Sequence, residues 1–510
     1  MDVAKQLLDE IRSGCVRTQD ELELAKIKLS NGADLIKNSD ISSLLKETDS
    51  DYSKLRKFLQ IKNVRTASGV ANIAVMWLHG SHANSCPAKC IYCPQGESNG
   101  VLIAPKSYTG IEPTTLRAIR NEYDPYKQTV NRLKQLNIIG HPTDKCELII
   151  MGGTFMATPS AFQEEFVKRC LDGFNGKPSA SLTDAQLANE TAKNRCIGLT
   201  IETRADFCTD EQIDRLLVLG CTRVEIGVQS VDDELLRITK RGHGAKANID
   251  AIRRLKEKGL KVCVHWMPGL TGMHGQIDEA KEIEMFKQLF TADYMPDELK
   301  IYPTLVIQGT ELHDMWKSGR YTPLTDEQMI RLLIEFKKII PPYVRLKRVM
   351  RDISEHNSEA GARVTNLRQL AAEKMEFSCK CIRCREVGHL DAGNIEPKIN
   401  VIKYNASNGK EIFIEYSGGA LLGFIRLRLD NTNIARIREL HVYGSMTPIG
   451  EESRQAQHKG VGKILMAQAE QIAKDNGCGD ITVTSGIGVR EYYRKLGYNL
   501  EGSYMTRALK

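Results

Sequence analysis

Three cysteines stand close together in the segment Cys86-Pro-Ala-Lys-Cys90-Ile-Tyr-Cys93. This C-x3-C-x2-C spacing can bring three thiolates onto one face of a tight loop. Protein-bound iron–sulfur clusters ordinarily have four cysteine ligands, so three ligands leave one iron open to a small molecule. We therefore predict that Cys86, Cys90 and Cys93 bind a [4Fe–4S] cluster. A partial zinc site and chance clustering are the alternatives.

A second group of cysteines, Cys379, Cys381 and Cys384, lies far along the chain. Three thiolates over six residues suit a structural zinc ion, which needs one further ligand to complete a tetrahedron. His389 follows shortly afterwards and is a candidate, although the sequence leaves the fourth ligand open. Free thiols are the alternative interpretation.

The elements around the first cysteine group alternate between short β-branched runs and amphipathic helical stretches. Strands separated by helices form parallel βαβ units, and six of them predict a partial (β/α)6 barrel. Chemistry in such barrels lies at the C-terminal ends of the strands, and the cysteine loop follows the first strand. The predicted strands cover residues 72–77, 147–151, 196–202, 223–229, 260–266 and 298–303.

The cysteine motif followed by a barrel pattern resembles the radical S-adenosylmethionine (SAM) enzymes, in which the open iron binds SAM. The resemblance implies that Gly152, Gly153 and Thr154, at the end of the second strand, bind the SAM amino group. Glycines allow close approach of the backbone to a ligand, although a plain turn would also need them. Charged and polar residues that end the next two strands are further candidates for SAM binding, namely Glu202, Arg204 and Gln229.

From about residue 398 the pattern becomes antiparallel, and a glycine loop opens a helix near residue 460. Amides at a helix start, together with the positive end of the helix dipole, favour a pyrophosphate. With its flanking strands this segment resembles the GNAT acetyltransferases. The resemblance implies three groups of acetyl-CoA contacts: Glu439, Leu440, His441 and Val442 along the pantetheine arm, Gln457, Gly460, Val461, Gly462 and Lys463 at the pyrophosphate, and Tyr492 or Tyr493 as proton donor to the thiolate.

These patterns divide the 510-residue chain into four regions. Residues 1–68 form a helical, basic N-terminal region, and residues 69–320 form the radical SAM barrel. Residues 321–397 form a connector with a basic segment and the second cysteine group. Residues 398–510 form the GNAT domain.

Clustered basic residues indicate contact with a polyanion, although a solvated helix face would explain them equally well. The net charge of +7 attracts polyanions only weakly. Two clusters are predicted to bind nucleic-acid phosphates: Lys54, Arg56 and Lys57 near the N-terminus, and Arg345, Lys347 and Arg348 in the connector.

The composition is that of a soluble globular protein, with 41% hydrophobic and 26% charged residues. No apolar run is long enough to span a membrane, and the N-terminus does not read as a signal peptide. We therefore predict a cytoplasmic protein with no membrane partner, whose 14 cysteines are not disulfide-bonded. The oligomeric state is not decided, and a homodimer is considered.

The combination of a radical SAM barrel and a GNAT domain resembles the catalytic subunit of Elongator, in a stand-alone archaeal form. Motifs that carry this resemblance include Ser107-Tyr-Thr-Gly-Ile-Glu-Pro-Thr, Thr239-Lys-Arg-Gly-His and Glu439-Leu-His-Val-Tyr-Gly. The resemblance implies a tRNA-modifying enzyme that installs a carboxymethyl group on C5 of the wobble uridine, U34. A radical from SAM would take hydrogen from the acetyl methyl of acetyl-CoA, and the carbon radical would add to the base before thioester hydrolysis. Lys145 matches a family lysine implicated in acetyl-CoA handling.

Two other functions remain open at this point. The chain could be a protein lysine acetyltransferase whose barrel only binds RNA or a partner. It could also be an RNA-binding scaffold without catalytic activity. The first would make the cysteine loop dispensable, and the second would abolish SAM cleavage altogether.

Overall fold

The computed structural model describes residues 3–30, 36–46, 48–60, 66, 68–78, 86–98, 100–351, 353, 357–387, 396–443 and 460–509. Within these ranges the predicted fold class is confirmed: a partial barrel of parallel strands is followed by a mostly antiparallel α/β domain. None of the helices in this part of the chain has the length and apolar character that a membrane crossing needs.

The N-terminal region is a small helical layer with its own apolar core. Leu7, Leu22, Ile41 and Leu55 are fully or almost fully buried in it. Arg56 connects this layer to the barrel, because its guanidinium donates to Asn137 Oδ1 at 2.9 Å. The helices are Val3–Ser13, Gln19–Ser30, Asn38–Ser42 and Tyr52–Phe58.

The barrel is a sheet of seven parallel strands, one more than predicted. Two short strands, β2 (Glu97–Ser98) and β3 (Val101–Leu102), form a hairpin outside it, and β9 (Val306–Ile307) pairs with β11 (Ser358–Ala360). In spatial order the barrel strands are β1 (Ala71–Met76), β4 (Lys145–Met151), β5 (Arg195–Thr203), β6 (Arg223–Gln229), β7 (Lys261–Trp266), β8 (Glu298–Ile301) and β10 (Arg345–Val349).

The helices cover the outer face of this sheet. Alternate strand residues such as Ile73, Leu148 and Val262 point at the helices and are completely buried. Side-chain caps such as Thr209 and Thr325 begin two of the helices. The barrel helices are Pro113–Arg120, Pro125–Ile138, Ser160–Asn175, Leu182–Asn189, Asp210–Val218, Asp233–Ile238, Ala245–Glu257, Glu279–Gln288, Glu311–Lys317 and Asp326–Ile339.

The seventh strand changes the predicted domain boundaries. Residues 345–349 were predicted to belong to a connector, but β10 pairs in parallel with β8 and closes the barrel sheet. The helix Asp326–Ile339 before it packs on the barrel as well. Among the described residues, β11, the short helices Leu367–Glu373 and Ile382–Arg385 and the second cysteine group lie between β10 and the C-terminal domain.

The described part of the C-terminal domain is a seven-stranded sheet with two α-helices, Val461–Asp475 and Arg490–Arg494. Leu465 and Ala469 of the long helix pack on the apolar face of the sheet. All strand pairs are antiparallel except β15 with β16. In spatial order the strands are β12 (Lys398–Ala406), β13 (Gly409–Gly418), β14 (Ala420–Leu429), β15 (Ile434–Val442), β16 (Asp480–Val483), β18 (Tyr504–Ala508) and β17 (Asn499–Glu501).

Buried ion pairs join this domain to the N-terminal ends of the barrel strands. Arg438 of β15 donates to both oxygens of Asp297, at 2.6 and 2.7 Å, and to Glu411 at 2.7 Å. All three side chains are essentially inaccessible to solvent. Arg490 adds a second connection, to Glu190 at 3.2 Å.

Candidate active site

The cysteine loop lines a cavity of about 130 Å³ at the C-terminal edge of the barrel. Cys86, Cys90 and Cys93 all border it, and they are the cysteines among its lining residues. Cys93 lies 3.1 Å from Ser107 Oγ, and Arg241 donates to the Cys90 sulfur at 3.8 Å. A hydrogen bond from Cys93 and the charge of Arg241 lower the pKa of Cys90 to about 5. Three thiols facing one cavity beside a guanidinium fit a cluster that has three protein ligands.

The glycine loop after β4 forms another wall of this cavity. Gly152 has φ 136° and Gly153 has φ 81°, conformations that side chains disfavour. A Cβ on Gly152 would lie 2.6 Å from the Trp77 indole nitrogen, so the loop packs directly on that buried ring. Thr154 lies in the cavity wall, and its buried hydroxyl has no hydrogen-bond partner in the described part of the chain. This loop therefore offers backbone groups and one hydroxyl to a ligand.

Glu202 and Gln229 also face the cavity, as predicted from their positions at strand ends. Tyr108 donates to Glu202 at 3.0 Å, which fixes the carboxylate. Gln229 has φ 67°, and its buried side-chain oxygen is unpaired within the described ranges. Both residues thus remain candidate ligands for SAM.

Arg204 lines the cavity as well, and its side chain is held in place by neighbouring groups. Its guanidinium forms two hydrogen bonds with Asp206, at 2.9 and 2.7 Å, and one with the Arg241 carbonyl at 3.0 Å. These contacts use three of the five guanidinium N–H groups, so Arg204 stays a candidate for cofactor binding. It positions the segment that carries Arg241 against the cysteine loop.

The cavity residues that were not predicted as site residues include Arg241, Tyr108 and Tyr302. The motif Thr239-Lys-Arg-Gly-His contained Arg241, and the motif that begins at Ser107 contained Tyr108, but spacing did not indicate which of their side chains point inward. Tyr302 follows β8, and the Arg351 guanidinium lies 6.0 Å from its ring centroid. Its place after a barrel strand was the available signal.

The barrel interior below the cavity is charged rather than apolar. Glu147 pairs with Arg223, Arg223 with Glu298 at 3.3 Å, and Lys347 with Glu298 at 3.3 Å. Lys300 pairs with Glu225 and lies 3.9 Å from Glu202. Since Glu202 faces the cavity, the ion pairs of the barrel interior extend as far as the cavity. Although Glu225, Cys263 and His265 could together ligate a metal, neighbouring cations already neutralise Glu225 and disfavour a further positive ion.

The GNAT site lies at the other end of the barrel. β15 pairs with β14 as far as Val442, but its pairing with β16 ends at Ile437. Residues 438–441 therefore extend beyond the pairing with β16, which is where the pantetheine arm was predicted. Glu439 does not point into this gap, because its carboxylate contacts Arg426 at 2.8 Å and Lys261 at 3.0 Å. His441 Nε2 lies 3.3 Å from the Ser68 carbonyl, at the barrel surface.

The predicted pyrophosphate loop ends in a regular helix start. Gly460 caps the helix with φ 77°, and the amides of Val461, Gly462 and Lys463 occupy its first turn. Tyr492 lies over this turn, since a Cβ on Gly462 would be 2.7 Å from its hydroxyl. Burial raises the pKa of Tyr492 to about 12, which makes the phenol a hydrogen-bond donor rather than a ready source of protons. Tyr493 is buried in the domain core, so Tyr492 is the stronger candidate.

Lys145 begins β4 and therefore lies at the GNAT end of the barrel. It stands in register with Arg195, and Arg195 packs against Gly488, four residues before Tyr492. Burial lowers the pKa of Lys145. The predicted link of Lys145 to acetyl-CoA is consistent with this position, at the opposite end from the cysteines.

The basic residues divide into exposed and buried groups. Lys54 and Lys57 are exposed, whereas Arg56 anchors the N-terminal helices. Arg345 pairs with Glu386 and donates to the Tyr443 hydroxyl at 2.6 Å. Because Arg345 and Lys347 are held by internal carboxylates, we no longer assign them to phosphate binding; Arg348 lines the active-site cavity.

The second cysteine group is compact. The sulfurs of Cys379, Cys381 and Cys384 all lie within 4.8 Å of one another, a spacing that suits one zinc ion. Hydrogen bonds with the other two thiols lower the pKa of Cys381. Two predicted ligands, His389 here and Gln457 at the pyrophosphate loop, lie outside the described residues.

Family models match both halves of the chain. Residues 81–283 match the Radical SAM superfamily, residues 296–376 the Radical SAM C-terminal domain, and residues 382–498 the Acetyltransferase (GNAT) family. Together with the cysteine cavity and the helix start at Gly460, these matches define a radical SAM enzyme fused to a GNAT acetyltransferase, an enzyme of the acyltransferase class.

Full-length relatives identify the family more closely. The chain is 44% identical to a tRNA uridine(34) acetyltransferase of Methanocaldococcus jannaschii, over 100% of this chain and 97% of the relative. It is 38% identical to Elongator complex protein 3 of Homo sapiens, over 100% of this chain and 96% of that protein. The solved structure of an N-terminally truncated Elp3 from Methanocaldococcus infernus has a TM-score of 0.75 at 42% identity, covering 87% of this chain and 100% of that chain. The chain belongs to this family of Elongator catalytic subunits, as the sequence motifs predicted.

Proposed function

We propose that this protein modifies tRNA by installing a carboxymethyl group on C5 of the wobble uridine, with SAM and acetyl-CoA as co-substrates. One observation supports this proposal most: the barrel carries a three-cysteine cavity at one end and a GNAT domain at the other. The modified position, uridine 34 of tRNA, is taken from the names of the relatives.

The residues of the cysteine cavity have separate tasks in this proposal. Cys86, Cys90 and Cys93 hold the cluster, which, when bound, supplies the electron that cleaves SAM. Gly153 and Thr154 orient the amino acid part of SAM, while Tyr108 keeps Glu202 in place toward the ribose. Arg241 holds its positive charge against the Cys90 sulfur and stabilises the thiolate form.

The GNAT residues bind and orient the acetyl donor. The part of β15 that extends beyond its pairing with β16 binds the pantetheine arm, and the first amides of the helix Val461–Asp475 bind the pyrophosphate. Tyr492 donates a hydrogen bond near the thioester sulfur. A phenol with a pKa of about 12 stabilises a leaving thiolate by this hydrogen bond without giving up its proton.

The substrate RNA contacts the exposed cations in this proposal. Lys54 and Lys57 lie on one helix and are available to phosphates. Arg348 borders the cavity itself, where a uridine removed from its stack would enter. The cysteine group around Cys381 holds a structural zinc ion beside the last barrel strand.

The test is an anaerobic reconstitution of wild type and Cys90→Ser, followed by mass spectrometry of tRNA nucleosides. Wild type is expected to form 5-carboxymethyluridine from SAM, acetyl-CoA and a reductant. Cys90→Ser should form none, while it binds acetyl-CoA with unchanged affinity, because the GNAT site is at the other end of the barrel. Cys15→Ser is the matched control, since Cys15 is exposed and remote from both cysteine groups.

Two results would refute the proposal. Modified uridine in the Cys90→Ser reaction would show that the radical mechanism is wrong. Acetylated protein lysines without any tRNA product, in wild type and variant alike, would favour the lysine acetyltransferase instead.

A further inference from the structure

The cysteine loop has a second face, which points away from the active site. Pro87, Ala88 and Lys89 border a groove of about 570 Å³ on the outside of the barrel. Ala88 lines both this groove and the active-site cavity. Only the thickness of the loop therefore separates the groove from the three thiols. The opposite wall of the groove comprises Leu236, Arg237, Lys240 and residues 242–244.

The loop and this opposite wall are directly connected. The Ile91 amide donates to the Thr239 carbonyl at 3.2 Å, and Arg241 donates to the Cys90 sulfur at 3.8 Å. A molecule seated in the groove would thus contact segments that are bonded or hydrogen-bonded to a cluster ligand.

The groove is positively charged at its rim. Lys89 and Arg237 are both exposed, and neither forms an ion pair among the described residues. Lys240 is partly neutralised, because it lies 2.7 Å from Glu311. Asp233 also lines the groove, and its carboxylate, which accepts a hydrogen bond from the Ala245 amide, offsets one of these positive charges. His243 adds no charge at neutral pH, since burial lowers its pKa to about 4.

The proposed reaction begins with one electron, which neither SAM nor acetyl-CoA provides. The step is a simple transfer: the donor is oxidised by one electron, the cluster is reduced by one electron, and no covalent bond or proton changes place. Iron–sulfur proteins are suitable donors, because many ferredoxins have strongly negative reduction potentials. Complexes for electron transfer are typically small, which suits a groove confined to one loop and one helix.

We propose that this groove docks an acidic ferredoxin, which passes its electron through the loop to the cluster at Cys86, Cys90 and Cys93. The proposal rests on the proposed function for the presence of the cluster. Charge complementarity with Lys89 and Arg237 would orient the donor and speed its approach, and salt would weaken the encounter.

The test measures binding of an acidic two-cluster ferredoxin to the full-length, cluster-loaded protein by calorimetry at several salt concentrations. Lys89→Glu and Arg237→Glu are each expected to weaken binding about tenfold at low salt. Lys474→Glu is the control, because Lys474 is an exposed lysine at the end of the GNAT helix. Stopped-flow bleaching of the cluster by reduced ferredoxin should slow in parallel for the two groove variants.

A chemical reductant separates this proposal from the proposed function. Arg237→Glu should cleave SAM at the wild-type rate with dithionite, which needs no docking surface. Wild-type ferredoxin affinity in both groove variants would overturn the docking site, whatever dithionite does. Charge-dependent binding of an acidic flavodoxin but not of ferredoxin would overturn the choice of donor. Absence of dithionite-driven cleavage in wild type would instead contradict the proposed function.

Discussion

Replacing Gly152 by alanine tests whether the glycine loop is held as tightly as the structure indicates. Gly152 has φ 136°, and a Cβ there would lie 2.6 Å from the Trp77 indole nitrogen. Trp77 is only 1% exposed, and its ring centroid is 6.2 Å from that of Phe155 and 6.3 Å from that of Phe162. The indole cannot retreat into this packed aromatic cluster, so the loop backbone must move.

The expected cost has two parts. A side chain at positive φ costs about 1–2 kcal/mol, and forcing an extra carbon into a packed core costs about 1–3 kcal/mol. Gly152→Ala should therefore lower the free energy of unfolding by about 2–5 kcal/mol. Gly176→Ala is a matched control, because Gly176 has φ 71° but no atom within 4 Å of an added Cβ. It should cost only the first part, about 1–2 kcal/mol.

Urea unfolding followed by tryptophan fluorescence measures both variants. Calorimetry with SAM on cluster-loaded protein measures the functional effect, which should be at least about a tenfold weaker affinity for Gly152→Ala and no change for Gly176→Ala. The reason is that Gly153 and Thr154 move with Gly152. If Gly152→Ala unfolds like Gly176→Ala and binds SAM like wild type, the loop is not packed on Trp77 and does not form the SAM site.

Two further predictions concern RNA and zinc. Lys54→Glu combined with Lys57→Glu should weaken tRNA binding and lower the slope of log affinity against log salt by about 2; filter binding at several salt concentrations measures this, and an unchanged slope would remove these lysines from the interface. Wild type is expected to contain zinc and Cys381→Ser to lose it, with the iron content unchanged; elemental analysis measures both, and equal zinc in the two proteins would exclude the site.

The cysteine motif could be placed from sequence because its function is local. Cys86, Cys90 and Cys93 lie within eight residues, so one loop suffices to bring them together. Gly152 and Gly153 could be predicted as well, since a tight turn after a strand can form in only a few backbone conformations. Arg241, which faces the cysteines, could not be predicted in the same way. It comes from a loop about 150 residues later, and nothing local directs its side chain to Cys90.

The strand Arg345–Val349 was overlooked for a related reason. Its charges suggested a phosphate-binding surface, whereas barrel interiors are usually filled by branched apolar side chains. In this barrel, Glu298 and Glu225 lie near Lys347, and Glu386 pairs with Arg345. Those carboxylates come from distant segments, so the neutralised interior could not be predicted. Leu346, which points outward and is fully buried, was the sign of a strand.

The junction between barrel and GNAT domain constrains how the two sites can cooperate. Removing one partner of a buried ion pair such as Arg438–Asp297 typically costs about 3–5 kcal/mol, so these contacts resist separation. The thiols lie beyond the C-terminal ends of the strands and Glu439 beyond their N-terminal ends. A six-residue strand such as Lys261–Trp266 is about 20 Å long. Because the junction is held by buried charges, closure of the two domains does not shorten this distance. The proposed reaction therefore requires the acetyl-bearing arm or the uridine to span the distance between the two ends of the barrel strands, past the charged interior of the barrel.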